Sequence, residues 1–277
     1  MGDPKQCEAD WGNRFPVDPD PMSVASASIL NFFAFRDHRL GMVSSALGYL
    51  QRAFQAAFDT GQILTATIIA VNISNAYAAL NDHDAALEWA QQGLDLGKPT
   101  GWPGALGSCL RQTGEVMLAL GRLEAAQAML DEALRIYAPM QNSASFVLVL
   151  LPLGKIAIGR GDYARAIAIY RQAIAASREF GLLDGIVDCQ IGLARALWKS
   201  GDIAEAENEG ATALALARGD NNTAAEVETL QLLTSIYMSR GALPLALETL
   251  ELAPTLASRI KGYHLPADLL QTLADLY

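Results

Sequence analysis

The sequence predicts an all-α fold made of stacked helix pairs, and three registers carry that expectation. Gly41, Gly121, Gly161, Gly201 and Gly241 are separated by multiples of 40 residues, and Asn81 fills the vacant place. Five residues after each of these six positions stands an alanine: Ala46, Ala86, Ala126, Ala166, Ala206 and Ala246. Seven residues further on come Ala53, Gly93, Ala133, Ala173, Ala213 and Ala253. A composition that is 51% hydrophobic but only 7% aromatic also fits helices packed through small side chains.

Each register has a physical reason. Gly and Asn best tolerate the left-handed backbone that ends a helix. Two antiparallel helices cross closely only where both carry small side chains. Larger apolar residues complete the same face: Val43, Leu123, Tyr163, Ile203 and Leu243 two residues after the turn, Leu47, Leu87, Ile167 and Leu247 six after it, and Phe54, Leu94, Leu134, Ile174 and Leu214 thirteen after it. This spacing is helical, not the alternation of a strand. First helices are expected near 27–40, 64–80, 104–120, 144–160, 184–200 and 224–240, and second helices near 44–59, 84–97, 124–138, 164–180, 204–218 and 244–260. Pro103, Pro244 and Pro266 suit a first helical turn, where a missing N–H costs nothing. Pro152 and Pro254 fall inside expected helices and should bend them. Residues 1–22, with Pro4, Pro16, Pro19 and Pro21 among acidic residues, read as an irregular N-terminal segment.

The run Leu153-Gly154, Gly161-Asp162-Tyr163, Ala166, Tyr170 and Ala173 resembles the tetratricopeptide repeat (TPR), and the resemblance extends over about residues 24–277. It implies a right-handed α-solenoid over 23–277: six TPR-like helix pairs near 27–66, 67–106, 107–146, 147–186, 187–226 and 227–266, plus a seventh first helix over 267–277. The period departs from the ordinary repeat of about 34 residues, and the proline that usually closes the second helix is absent from most copies. The 40-residue subtype resembles the TPR regions of bacterial signalling proteins, including those ahead of a GGDEF diguanylate cyclase domain. In the last segment Leu273, Ala274 and Tyr277 take the places of Leu193, Ala194 and Leu197. Solenoids end on a solvated cap, and the apolar Leu273, Leu276 and Tyr277 favour a longer protein over a cap at this point.

A net charge of −10 and a pI near 4.8 argue against binding to nucleic acid or to an anionic membrane surface. The longest apolar run, Phe146 to Leu151, is too short to span a bilayer. Cys7, Cys109 and Cys189 form no CxxC pair, which fits a reducing, cytoplasmic setting. Cys109 and Cys189 share one slot two repeats apart. At about 10 Å per helix layer they should lie roughly 20 Å apart, as buried small hydrophobes. His38, His83 and His264 occupy different slots with no metal-ligand spacing, and His83 is expected on an exposed turn. No nucleophile, phosphate loop or metal motif is present, so neither a cofactor nor catalysis is expected of these residues.

The TPR resemblance implies that slots 2, 5, 9, 12 and 13 of the first helices, counted from residues 27, 67, 107, 147, 187 and 227, face a concave wall. Slot 9 reads Phe35, Asn75, Glu115, Lys155, Arg195, Ser235 and Asp275, and slot 5 reads Asn31, Val71, Arg111, Leu151, Ile191, Gln231 and Gln271. Arg111, Lys155, Arg195 and Lys199 thereby concentrate positive charge beside an apolar strip of Leu148, Leu151, Ile158, Ile191 and Trp198. The candidate binding residues are Arg111, Glu115, Leu151, Lys155, Asp188, Ile191, Arg195, Trp198, Lys199 and Gln231. Cations beside an apolar floor suit a peptide, a protein segment or a small anionic ligand. The competing reading is internal: Arg111 pairs with Glu115, Lys155 and Arg195 reach Glu115, Asp188 or Glu228, and Trp198 packs between repeats. Three functions remain open: a non-catalytic interaction or sensor module, the sensory half of a signalling enzyme such as a diguanylate cyclase, or a self-dimerising scaffold.

Overall fold

The structure is a computed structural model, and it describes residues 19–20, 22–140, 143–181, 185–220 and 222–257. Most of the N-terminal segment, Pro254, Cys7, His264 and the seventh first helix at 267–277 lie outside what it describes, in whole or in their side chains. Among the described residues there are twelve α-helices and no strand. They are α1 (Ser26–Arg39), α2 (Val43–Asp59), α3 (Ile63–Ala79), α4 (His83–Gly97), α5 (Pro103–Ala119) and α6 (Leu123–Tyr137), then α7 (Ala144–Gly159), α8 (Tyr163–Phe180), α9 (Ile186–Ser200), α10 (Ile203–Gly219), α11 (Thr223–Ser239) and α12 (Leu243–Ala257). They fall into two compact units, divided between Pro139 and Met140. The first unit is the three hairpins α1/α2, α3/α4 and α5/α6, and the second is α7/α8, α9/α10 and α11/α12.

The turns inside the hairpins follow the first register. Gly41, Gly121, Gly161, Gly201 and Gly241 all have positive φ, and Asn81 does too, with φ of 62°. Asn81 is the only positive-φ residue other than glycine among those described. The aspartates that follow three of these turns cap the second helices: Asp82, Asp162 and Asp202 accept from the backbone N–H of Ala85, Arg165 and Glu205. A second glycine series, Gly61, Gly101 and Gly181, also has positive φ and closes the turns from one hairpin to the next. Pro103 opens α5, and α7 runs through the buried Pro152.

The small-residue registers mark the tight crossings. Ala46, Ala86, Ala126, Ala166, Ala206 and Ala246 are each fully buried, as are Ala53, Ala133, Ala173 and Ala213, with Gly93 in the equivalent place. A further buried register lies nine residues after the turn: Leu50, Ala90, Leu130, Tyr170, Gly210 and Leu250. Its occupants vary in size, and their neighbours vary inversely. In the second unit the Tyr170 ring is wedged between α7 and α9 at Gly154 and Gly192, where an added Cβ would lie 2.4 Å from the ring at either position. In the first unit the smaller Leu130 faces one glycine, Gly114, where a Cβ would lie 2.7 Å away. Where the register shrinks to Gly210, Leu233 of α11 moves into the space, 2.7 Å from a would-be Cβ.

Overpacking a filled core typically costs about 1–3 kcal/mol. Gly192→Ala should therefore lower urea-unfolding stability by about that amount. Adding Tyr170→Leu, the residue the chain itself uses at Leu130, should recover part of the loss. An unchanged urea midpoint for Gly192→Ala would contradict the wedge.

Candidate functional site

The predicted site residues divide between the two units. Arg111 and Glu115 lie one turn apart on α5, and the Arg111 guanidinium donates to Glu115 at 2.6 Å. Arg111 is largely buried, with 16% of its side chain exposed, so this pair is internal to the first unit, as the competing reading expected. The remaining candidates belong to the second unit, on α7, α9 and α11.

Leu151 and Ile191 correct the expected wall. They are 9% and 2% exposed and belong to the core, so they offer no open apolar strip. Slot 5 sits at the margin of the packed interior. Its apolar occupants, including Val71, sink inward, whereas its polar ones, Asn31, Arg111 and Gln231, keep part of their surface exposed. A second cause is the approach to α9. The backbone at Gly185, with φ of 79°, passes so close to Leu151 and Leu148 that a Cβ there would lie 3.2 and 3.5 Å from their side chains.

The open surface of the second unit is polar. Asp188, Arg195, Asn222, Glu228 and Gln231 line a shallow cleft of about 420 Å³, with Ala224 and Ala225 at its side. Arg195 of α9 donates to Glu228 of α11 at 2.8 Å, and both side chains remain well exposed. An exposed pair of this kind holds its geometry weakly, typically by about 0–1 kcal/mol. The side-chain nitrogen of Gln231 lacks a hydrogen-bond partner although it is shielded from solvent. Partial burial pushes the Asp188 carboxyl above its ordinary range. Lys155 opposes that shift, and Glu228 adds to it. Trp198 is half-buried, and its indole N–H donates to Ser239 of α11 at 2.8 Å. The Lys199 ammonium stands 4.2 Å from the centre of the same ring, a cation–π distance.

Of the sequence candidates, Asp188, Arg195 and Gln231 line one cleft, Lys155 is near enough to act on the Asp188 carboxyl, and Trp198 and Lys199 pair with each other further along α9. Glu228 was visible as a possible partner, 33 residues after Arg195. That separation recurs, since Arg240 pairs with Glu207 at the same spacing, and Arg171 with Glu205 at 34. Asn222 and Ser239 were missed, because nothing in their local sequence separates a cleft residue from a capping or solvated one.

Among the described residues no group of three or more His, Cys, Asp or Glu side chains is placed to hold a metal ion. No helix in the described residues is long and apolar enough to cross a membrane. His83 is the first residue of α4 and is half-buried, not on an exposed turn. Cys109 and Cys189 are fully buried free thiols, and loss of hydration pushes their pKa values to about 11 and about 12.

These features define a TPR-type helical-repeat protein with a polar cleft on its second unit. The family model described as the MalT-like TPR region matches residues 105–276, and one described as a tetratricopeptide repeat matches residues 74–92. The first match spans more than half of the chain: the protein belongs to the MalT-like TPR family. No curated protein matches it. Among solved structures, the chain is similar to a Rap protein complexed with Competence and Sporulation Factor, at 14% identity and a TM-score of 0.72, covering 98% of this chain and 80% of that one. It is similar to the apo form of RapI at 13% identity and a TM-score of 0.71, covering 93% and 90%. It is also similar to a STAND signal-transduction ATPase with a tetratricopeptide repeat sensor from Pyrococcus horikoshii, at 14% identity and a TM-score of 0.64, covering 92% of this chain and 39% of that one. At these identities the likeness establishes the fold.

The thiol environment yields a direct check. The thiolate is the reactive form of cysteine. With a pKa near 11, about one Cys109 side chain in a thousand is ionised at pH 8, and fewer at Cys189. In a Cys7→Ser background, iodoacetamide at pH 8 should modify neither thiol in the native protein and both in 6 M guanidinium. Because both folded-state values are raised, the thiols' contribution to stability is complete below about pH 9 and is lost as pH climbs toward 11–12. Rapid native modification of either residue would contradict their placement.

Proposed function

We propose that the protein is a non-catalytic recognition module and that the polar wall of the second unit binds an extended peptide or protein segment carrying an acidic residue beside an apolar or aromatic one. The observation that carries this reading is the pairing of a weakly held cation with an unpartnered donor in one cleft. Arg195 can exchange the exposed Glu228 for a ligand carboxylate, and the Gln231 amide lacks the acceptor such a ligand brings. Trp198, held by Ser239 and flanked by Lys199, offers a rigid amphipathic face of the type enriched at binding hot spots. Lys155 and Lys199 add positive charge at the margin. Asp188 and Glu228 limit the fit for a small, purely anionic ligand, so a longer segment is the better match. Competence and Sporulation Factor bound to a Rap protein shows a relative in fold engaging a partner, which supports this class of function.

A second reading is a sensory role within a longer signalling chain. The likeness to the STAND ATPase favours it, because that protein's repeats are a sensor and this chain covers 39% of its length. The two readings share one wall, with an output domain added in the second. A diguanylate cyclase domain and self-dimerisation have no such observation behind them.

The test is a synthetic peptide array probed with the wild-type protein and with an Arg195→Ala/Trp198→Ala variant. Wild type should select peptides with Asp or Glu next to a large apolar residue, and binding should weaken as salt rises. The double variant should lose at least tenfold in affinity while its Tm falls by only a few degrees, since both side chains are partly exposed. Identical selection by the two proteins would overturn the reading, as would a collapse of the variant's fold.

A further inference from the structure

The first unit holds a concavity that its two neighbouring hairpins do not fill. It lies among α1, α2 and α3 and measures about 170 Å³. Ala34, Ala46, Leu50 and Ala76 form its apolar floor, while Asn31, Asn72, Asn75, Phe35 and His38 form its rim. The chain's own repetition explains the gap. One repeat later, Ser74 and Gln112 occupy the places of Ala34 and Asn72, and the Gln112 amide donates to the Ser74 hydroxyl at 3.1 Å in the closed interior. Ala34 has no hydroxyl, so the Asn72 amide reaches only Asn31, at 3.5 Å, the outer limit of a hydrogen bond.

We propose that this concavity binds a small, uncharged, planar ligand with an amide edge. Its volume is on the order of an apolar cavity known to admit a single six-membered ring. Each of the three carboxamides presents both a donor and an acceptor, and an amide edge presents the complementary pair. The stretched Asn31–Asn72 contact is readily exchanged for such a ligand. Phe35, 57% exposed, and His38 lie three residues apart on one face of α1 and offer rings against which a planar group can stack. Among the described residues no acidic or basic side chain other than His38 lines the space. Arg36 and Asp37, between Phe35 and His38 in sequence, are engaged with each other, and Asp37 also accepts from Ser45. Among the lining residues a charged ligand would therefore give up hydration with no carboxylate, ammonium or guanidinium to pair with. This site is confined to the first unit and does not depend on the peptide wall of the second.

Nicotinamide is the probe, with nicotinate as its charged isostere and benzene as its apolar control. Titration of ¹⁵N-labelled protein should move the side-chain NH₂ signals of Asn72 and Asn75 saturably at millimolar nicotinamide, with nicotinate at least fivefold weaker. Asn75→Ala, at an exposed position, should weaken nicotinamide at least fivefold and leave the Tm unchanged. Phe35→Ala should do the same through loss of stacking and serves if Asn75→Ala unfolds. Absence of any movement in the asparagine signals would overturn the proposal. So would benzene binding as well as nicotinamide, with both variants unaffected, since that describes an apolar void only.

Discussion

The structure depends on close approach of helix backbones at positions where no side chain intervenes. Two helices can cross tightly only if the residues at the crossing are small, and here the requirement is met by an unbroken series of buried alanines in the second helices. Once those contacts are set, the remaining volume has to be shared. The register through Leu50, Ala90, Leu130, Tyr170, Gly210 and Leu250 shows how: a bulky occupant faces glycines, and a glycine faces a leucine. The hairpins are therefore alike in backbone and individual in core. Such packing conserves total volume locally, which is what a dense interior demands.

That individuality also creates the surfaces. A hairpin whose neighbours close completely presents only a solvated wall, as at Ser74 and Gln112. One that closes incompletely leaves a concavity, as at Ala34 and Asn72. In the second unit the differences lie in charge. The partners Arg195 and Glu228 span adjacent first helices, and Trp198 is tied across the same interval to Ser239. A wall assembled from one or two residues per hairpin can be altered slot by slot without changing the small-residue registers, because the exposed slots lie on the first helices and those registers on the second.

The architecture was legible in the sequence to an unusual degree. Within the described residues, helices begin and end within two residues of the expected places, the end of α12 aside, since the left-handed turn residues and the aspartate caps are local requirements that each repeat must satisfy for itself. The site was legible less evenly. Asp188, Arg195 and Gln231 line one cleft, because slot number is nearly equivalent to position along successive hairpins. Leu151 and Ile191 did not meet the same expectation. At the margin of the core a slot is inward or outward according to whether its own side chain gains more from burial or from water.

By itself, the sequence determined the fold class, the repeat length, the turn positions and the buried crossings, because all of these follow from the size and backbone preference of residues repeated every 40 positions. Tertiary structure alone decided which polar residues are partners and which are openings. Arg195 crosses to Glu228, the Gln231 amide is left without an acceptor, and Asn72 finds only a distant neighbour. Those outcomes depend on distances of a few tenths of an ångström between different helices. No periodicity along one chain encodes such distances, because they arise only when neighbouring hairpins have settled their shared volume.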